Sequence, residues 1–166
     1  MTIAIDLNNS NPETCCTYED GAITMEAKSS LWDEFFEHYP VLMKDGVEVT
    51  RLNPNDFSKD LEGKDVDISS GEAGDVFIAF PRKGLKITTS GNILRISFIN
   101  GSDNEEYQYY AHTYNDKHLD KFYMGAYEGW FDENGVMRSL SGKAPTVSKT
   151  IAQTRAAARA NNNECE

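Results

Sequence analysis

The chain has 166 residues with a formal net charge of -11, and its eighteen aromatic residues (8 Tyr, 8 Phe, 2 Trp) suffice for a genuine hydrophobic core. This composition excludes collagen, a coiled coil and wholesale disorder, and no apolar run approaches the roughly 20 residues of a membrane helix. The charge is uneven: residues 1–75 contain 17 acidic and 5 basic side chains, whereas residues 76–147 contain 8 of each. Such a field repels DNA and RNA, whose binding rests on Lys and Arg neutralising phosphates, so no direct nucleic-acid partner is expected.

The N-terminus lacks the basic start and apolar stretch of a signal peptide, which points to synthesis in the cytoplasm. The three cysteines, two of them the adjacent Cys15 and Cys16 and the third Cys165, give no disulfide framework and read as free thiols. With His38, His112 and His118 scattered and no CxxC, HxxxH or HExxH spacing, neither a metal site nor a cofactor is expected.

In chain order, Ile3-Ala4-Ile5 is a short apolar start. The stretch from Ser29 to Tyr39 is predicted as a helix, capped by Ser29 or Ser30 and ended by Pro40, with Phe35, Phe36 and Tyr39 on its core-facing side. Asp45-Gly46, between Val41-Leu42-Met43 and Val47-Glu48-Val49, is a hairpin signal. The acidic run from Asn53 to Gly74 is expected as a solvated loop. Asp60, Glu62, Asp65 and Asp67 do not follow the order of an EF-hand loop.

From Asp75 the strand signal strengthens. Val76–Phe80, Leu85–Thr89, Ile93–Ile99 and Tyr107–His112 are predicted strands, the last three forming a meander with turns at Ser90-Gly91-Asn92 and Asn100-Gly101. Asn115 to Asp120 is expected as a polar connection, and His112 and His118, which flank a polar loop, are expected as solvated histidines rather than a general base. A further hairpin, Phe122–Phe131 with Val136–Leu140, closes at Asn134-Gly135, and Gly125 and Gly129 within it imply close backbone approach. A helix from Ile151 to about Ala160 follows, with Thr150 and Gln153 in the capping-box relation and Asn161 after its end.

The run Phe122-Tyr123-Met124-Gly125-Ala126-Tyr127-Glu128-Gly129, then Met137-Arg138-Ser139-Leu140-Ser141-Gly142-Lys143-Ala144-Pro145-Thr146, then Thr150-Ile151 and Arg155, resembles a module of phage tail and minor structural proteins. Its pattern is close to YIGAYEG…LRSxSGxxPTxxxTxxxxR. That module has the C-type-lectin-like fold, in the branch that includes the formylglycine-generating enzymes. Gly74 to Arg82 resembles its opening strand. The resemblance implies scaffold roles for Arg138, Ser139, Ser141, Gly142 and Pro145. In the family, the helix leads into a Gly-x-Gly-Trp-like turn and further strands bearing most of the ligand-contacting surface. Here Asn161 to Glu166 stands in their place, so the expected module is incomplete, and Cys165 is not mapped onto a catalytic cysteine.

The expected fold class is α+β, mainly antiparallel sheet with one N-terminal and one C-terminal helix, resembling an incomplete C-type-lectin-like fold. It is organised as an acidic region 1–75 and a module 76–166. No nucleophile, phosphate-binding or dinucleotide motif is present. Glu128 and Asp132 on one strand would stand about 13 Å apart, beyond the roughly 5–9.5 Å of glycosidase carboxylates. No catalytic residue is assigned and no enzyme is expected.

The expected function is a phage or prophage virion structural or adhesion protein, a homo-oligomer contacting other virion proteins or a host surface protein or glycan, without membrane insertion. Its contact residues are Tyr107, Tyr109, Tyr127 and Trp130, chosen because Tyr and Trp combine large area with a polar atom. The alternative is an acidic phage-encoded inhibitor that imitates nucleic acid and fills a basic groove of a host enzyme.

Overall fold

Asp45 and Gly46 both adopt positive φ (52° and 75°), the pair of conformations a type I′ turn requires. They join β3 (Tyr39–Lys44) to β4 (Val47–Asn53) as the sequence predicts. The computed structural model describes residues 1–19, 33, 35–101 and 103–161. The described chain is β-rich, with antiparallel sheets and one α-helix, α1 (Ile151–Arg159). It divides into two compact units, Met1–Glu37 with Phe80–Phe122, and His38–Ala79 with Tyr123–Glu166. Each unit therefore draws on both the acidic first 75 residues and the later, charge-balanced region.

In the first unit, β1 (Thr2–Asp6), β2 (Cys16–Tyr18), β7 (Lys83–Ser90) and β8 (Ile93–Asn100) form a sheet of order β2-β1-β8-β7. Gly91, at φ 58°, turns β7 into β8 with Ser90 opposite Ile93. The apolar start pairs on the other side of β8, Ile3 opposite Ile96 and Ile5 opposite Leu94. The expected third strand of the meander does not form. Only Gln108 bridges Leu85, and Tyr110–His112 then coil into a 3-10 turn. The reason is local: Asn115 and Asp116, both at positive φ (48° and 62°), close a tight hairpin of β9 (Thr113–Tyr114) and β10 (Lys117–His118), where a plain connection was expected.

In the second unit, β5 (Asp56–Asp60), β6 (Asp75–Pro81) and β11 (Lys121–Gly125) join β3 and β4 in a sheet of order β11-β6-β3-β4-β5. The acidic stretch expected as loop thus supplies a strand. The unit boundaries fall within β6 and β11. Alternation along β3 sends Val41 and Met43 to one face, where they cluster with Phe77 and Ala79, and Leu42 to the other, where it meets Leu52 and Val76. Val41, Leu52 and Val76 are wholly buried.

The predicted hairpin after residue 122 is split. β11 enters the five-stranded sheet, while β12 (Trp130–Phe131) pairs with β13 (Met137–Arg138) across the Asn134-Gly135 turn. Helix α1 begins with the predicted capping box: the Thr150 hydroxyl accepts the Gln153 N–H, and the Gln153 side chain accepts the Thr150 N–H. The N-terminal helix expected over Ser29–Tyr39 lies largely outside the described residues, and its expected last residue, Tyr39, begins strand β3. Among the described residues no helix is long and apolar enough to cross a membrane.

Candidate functional site

A dense polar construction lies in the second unit, around Asp75 at the start of β6. Gly74 precedes it at φ 137°, where a Cβ would stand 2.3 Å from the Met43 carbonyl oxygen, so only glycine lets β6 begin this close to β3. Asp75 is 2% exposed. Its Oδ1 accepts from Arg138 Nε at 3.1 Å and from the Ser139 N–H at 2.8 Å; its Oδ2 accepts from Arg138 Nε at 3.0 Å and Asn161 Nδ2 at 3.2 Å. Arg138 also donates through Nη2 to the Gly71 carbonyl at 2.9 Å and lies 3.7 Å from Asp132 Oδ2. Asn161 reaches the Met137 carbonyl at 2.8 Å. One carboxylate thus ties together the start of β6, the end of β13 and the residues just after α1.

Ser139 extends the knot. Its hydroxyl donates to the Val76 carbonyl at 2.7 Å and accepts the Tyr127 N–H at 3.0 Å. Beside Arg138 opens a cleft of about 250 Å³ bordered by Met43, Lys44, Asp75, Asp132 and Asn161. Lys44 donates to the Glu72 carbonyl at 2.7 Å across a nearby loop. A carboxylate this fully saturated with donors acts as an anchor for strands, since a general base needs free lone pairs directed at a substrate.

The four aromatic residues chosen from the sequence fare differently. Tyr109 is 3% exposed, so its ring belongs to the interior of the first unit, 4.6 Å from the His118 ring and under the Arg82 guanidinium. This removes it from a contact surface. The cause is the break after Gln108, which ends the alternation assumed for a continuous strand and leaves Tyr110 75% exposed instead. Tyr107 is half-buried with Lys86 Nζ 5.8 Å from its ring centre. Tyr127 is half-buried and packs on the Leu42–Leu52–Val76 cluster. Trp130 is half-buried with Lys143 Nζ 4.9 Å from its ring centre, and Lys149 lies 5.7 Å from the neighbouring Phe131 ring.

The scaffold around Trp130 is built from the motif. The Phe131 N–H donates to the Thr146 hydroxyl at 2.8 Å, and the Thr146 N–H donates to the Gly129 carbonyl at 3.0 Å. A Cβ on Gly129 would lie 2.7 Å from Met137 Sδ, which is the close approach that a glycine inside an aromatic strand implies.

His112, expected in solvent, is 4% exposed. Its Nε2 lies 3.1 Å from the Phe80 carbonyl, and its ring packs against Phe122, which stacks on Phe80. Burial, with Arg82 and Lys83 nearby, pushes its pKa below the ordinary 6.5. His118 instead pairs with Asp103 at 2.7 Å.

The acidic side chains at 56–67 are largely turned to local use. Asp56 accepts from Ser58, and Asp60 accepts the Glu62 and Lys64 N–H groups. The Ser70 hydroxyl and the Ser69 and Ser70 N–H groups hold the Asp67 carboxyl well below the usual carboxylate range. Among the described residues, no group of three or more His, Cys, Asp or Glu is arranged to hold a metal.

The sequence signals neither the anchoring roles of Asp75 and Asn161 nor the burial of His112. Asp75 and Arg138 lie 63 positions apart, and no local pattern announces such a pair. Comparison with protein-family models, curated proteins and solved structures returns no match.

Proposed function

We propose that this chain is a structural or host-adhesion component of a phage or prophage virion, working through protein or glycan contact rather than catalysis. The observation that carries the reading is the use made of the motif residues. Arg138 and Ser139 grip Asp75, Thr146 fixes the strand of Trp130, and Gly129 admits Met137. The residues that resemble the phage module therefore serve as backbone organisers, as a recurrent scaffold requires.

The contact surface lies in the second unit, centred on Trp130 and its Lys143 partner with Tyr127 as support; the Tyr107–Lys86 pair is a separate aromatic-cation feature of the first unit. Aromatic rings beside cations suit glycan faces and protein interfaces alike. A homo-oligomer is part of this proposal, since repeated weak contacts reach useful strength only through multivalency.

The test is binding of purified chain to bacterial envelope fractions and a glycan array, with light scattering for the oligomer. Trp130→Ala should weaken capture at least about tenfold, the loss of one central aromatic anchor, while leaving far-UV circular dichroism unchanged. A monomer that captures no envelope, glycan or virion protein would defeat the proposal.

The inhibitor reading draws on the charge excess of residues 1–75. It is the weaker of the two, because Asp56, Asp60 and Asp67 spend lone pairs on their own loops, and Lys59 and Arg95 pair with Asp65 and Glu19. Capture of a basic nucleic-acid enzyme at low salt, lost as salt rises, would reverse that order.

A further inference from the structure

Cys15 and Cys16 are adjacent in sequence, and in a regular strand their side chains would point to opposite faces. They do not. Cys15 sits in the bend before β2 and Cys16 is its first residue, and the two sulfurs converge to 3.7 Å.

The bend is held on several sides. The Cys15 N–H donates to the Asn11 carbonyl at 2.9 Å and its carbonyl accepts the Asp6 N–H at 2.8 Å. Asn11 Oδ1 accepts the Glu13 N–H at 3.0 Å, and Asn9 Nδ2 reaches the Thr14 hydroxyl at 3.0 Å. Both cysteines are partly exposed, Cys15 just before and Cys16 at the start of β2, an edge strand of the first unit's sheet.

A separation of 3.7 Å discriminates between two kinds of thiol chemistry. A direct disulfide needs sulfurs about 2.05 Å apart and Cα atoms usually about 4.4–6.8 Å apart. Neighbours across a trans peptide have Cα atoms only about 3.8 Å apart. By contrast, two sulfurs bound at about 2.3 Å to one centre, at an angle of about 100–110°, stand about 3.5–3.8 Å apart. The pair is spaced to bridge through a third atom.

We infer that Cys15 and Cys16 form a preorganised dithiol chelate for a soft, thiophilic trivalent centre of the organoarsenic(III) type. Such a centre needs only two protein ligands, whereas structural zinc usually takes four. In the step, an arsenic(III) oxide group, R–As=O, meets the two S–H groups. Two As–S bonds form, the As=O bond is lost, and its oxygen leaves as water with both thiol protons. Arsenic stays trivalent and no electrons are transferred. The thiol hydrogen bond with Cys15, then burial and the neighbouring charge, push the Cys16 pKa up.

The test uses phenylarsine oxide on the full chain carrying Cys165→Ser, so that only the adjacent pair titrates. One adduct per chain should form, removing both thiols from Ellman titration, resisting excess glutathione and reversing with 2,3-dimercaptopropanol. Adding either Cys15→Ser or Cys16→Ser should weaken binding at least about a hundredfold, the scale of a lost second attachment, with circular dichroism verifying the fold. An adduct that leaves one thiol titratable, or single-serine variants binding within about threefold of the parent, would overturn the inference.

Discussion

The two units reach stability by different means. The second has fully buried aliphatic side chains on both faces of its sheet and a buried ion pair holding its strands to the residues after α1. The first has a sheet whose strand residues are mostly half-exposed. Its buried set among the described residues is Ala4, Gly84, Tyr109 and His112, supplemented by ring contacts such as Phe35 and Phe36 against Phe98. One unit is held by apolar burial around a charge pair, the other by aromatic edges and a neutral imidazole. Each is therefore vulnerable at a different point.

The largest effect should come from the ion pair. Asp75→Ala strips Arg138 of its main partner and leaves the Ser139 N–H without its acceptor. Removing one member of a buried pair costs about 3–5 kcal/mol, so the urea midpoint should fall accordingly. Replacing Asp75 and Arg138 together by apolar residues should lose less than Asp75→Ala alone. If the single variant changes stability by less than about 1 kcal/mol, the pair is not the fastening described.

Next come apolar truncations, one in each unit. Leu52→Ala removes a wholly buried side chain and should cost about 2–5 kcal/mol. Ile96→Ala, in the half-exposed β8, removes less buried area and should cost about 1–2 kcal/mol. Equal losses in denaturant titrations would erase the contrast between the units.

A smaller and opposite asymmetry concerns pH. His112 is buried with its Nδ1 lacking a partner among the described residues and with Arg82 and Lys83 nearby. Its folded pKa lies below the unfolded 6.5, so the unfolded state takes up its proton first. Its contribution is fully present above about pH 6.5 and is lost as pH falls through the lower folded value, by at most about 1.4 kcal/mol per pH unit. Denaturation at pH 7.5 and pH 5 should show this loss, and His112→Gln should flatten it. The pH dependence should follow probes in the first unit, such as exchange of the 110–112 amides.

The same contrast explains what could be read from the sequence. Strands β3, β4, β6, β7 and β8 were legible because their apolar runs end at residues suited to tight turns, Asp45-Gly46 and Gly91 among them. The capping box of α1 was legible for the same reason: its partners lie three residues apart. The Asp75–Arg138–Asn161 knot was not, because its members come together only when β6, β13 and the end of α1 are already placed. Strand β5 was hidden by acidic residues whose side chains satisfy their own turns while the backbone pairs with β4. The burial of Tyr109 is hidden because alternation describes a continuous strand, and this segment meets the sheet by a single bridge at Gln108.

The smallest effect tests a local fastening within the second unit. Helix α1 has nine residues, of which Ala157 and Ala158 are buried, so packing supplies little and its ends matter. Thr150→Ala removes the N-cap and should cost about 1 kcal/mol. Asn161→Ala acts beyond the other end, freeing the Met137 carbonyl and one bond to Asp75. The cap acts on the helix alone, whereas Asn161 couples it to the buried ion pair. Amide exchange should therefore separate the two: Thr150→Ala should speed exchange only in the first turns of α1, and Asn161→Ala should also loosen Ser139. If Thr150→Ala loosens Ser139 equally, the helix and the ion pair form one cooperative element rather than two joined at Asn161.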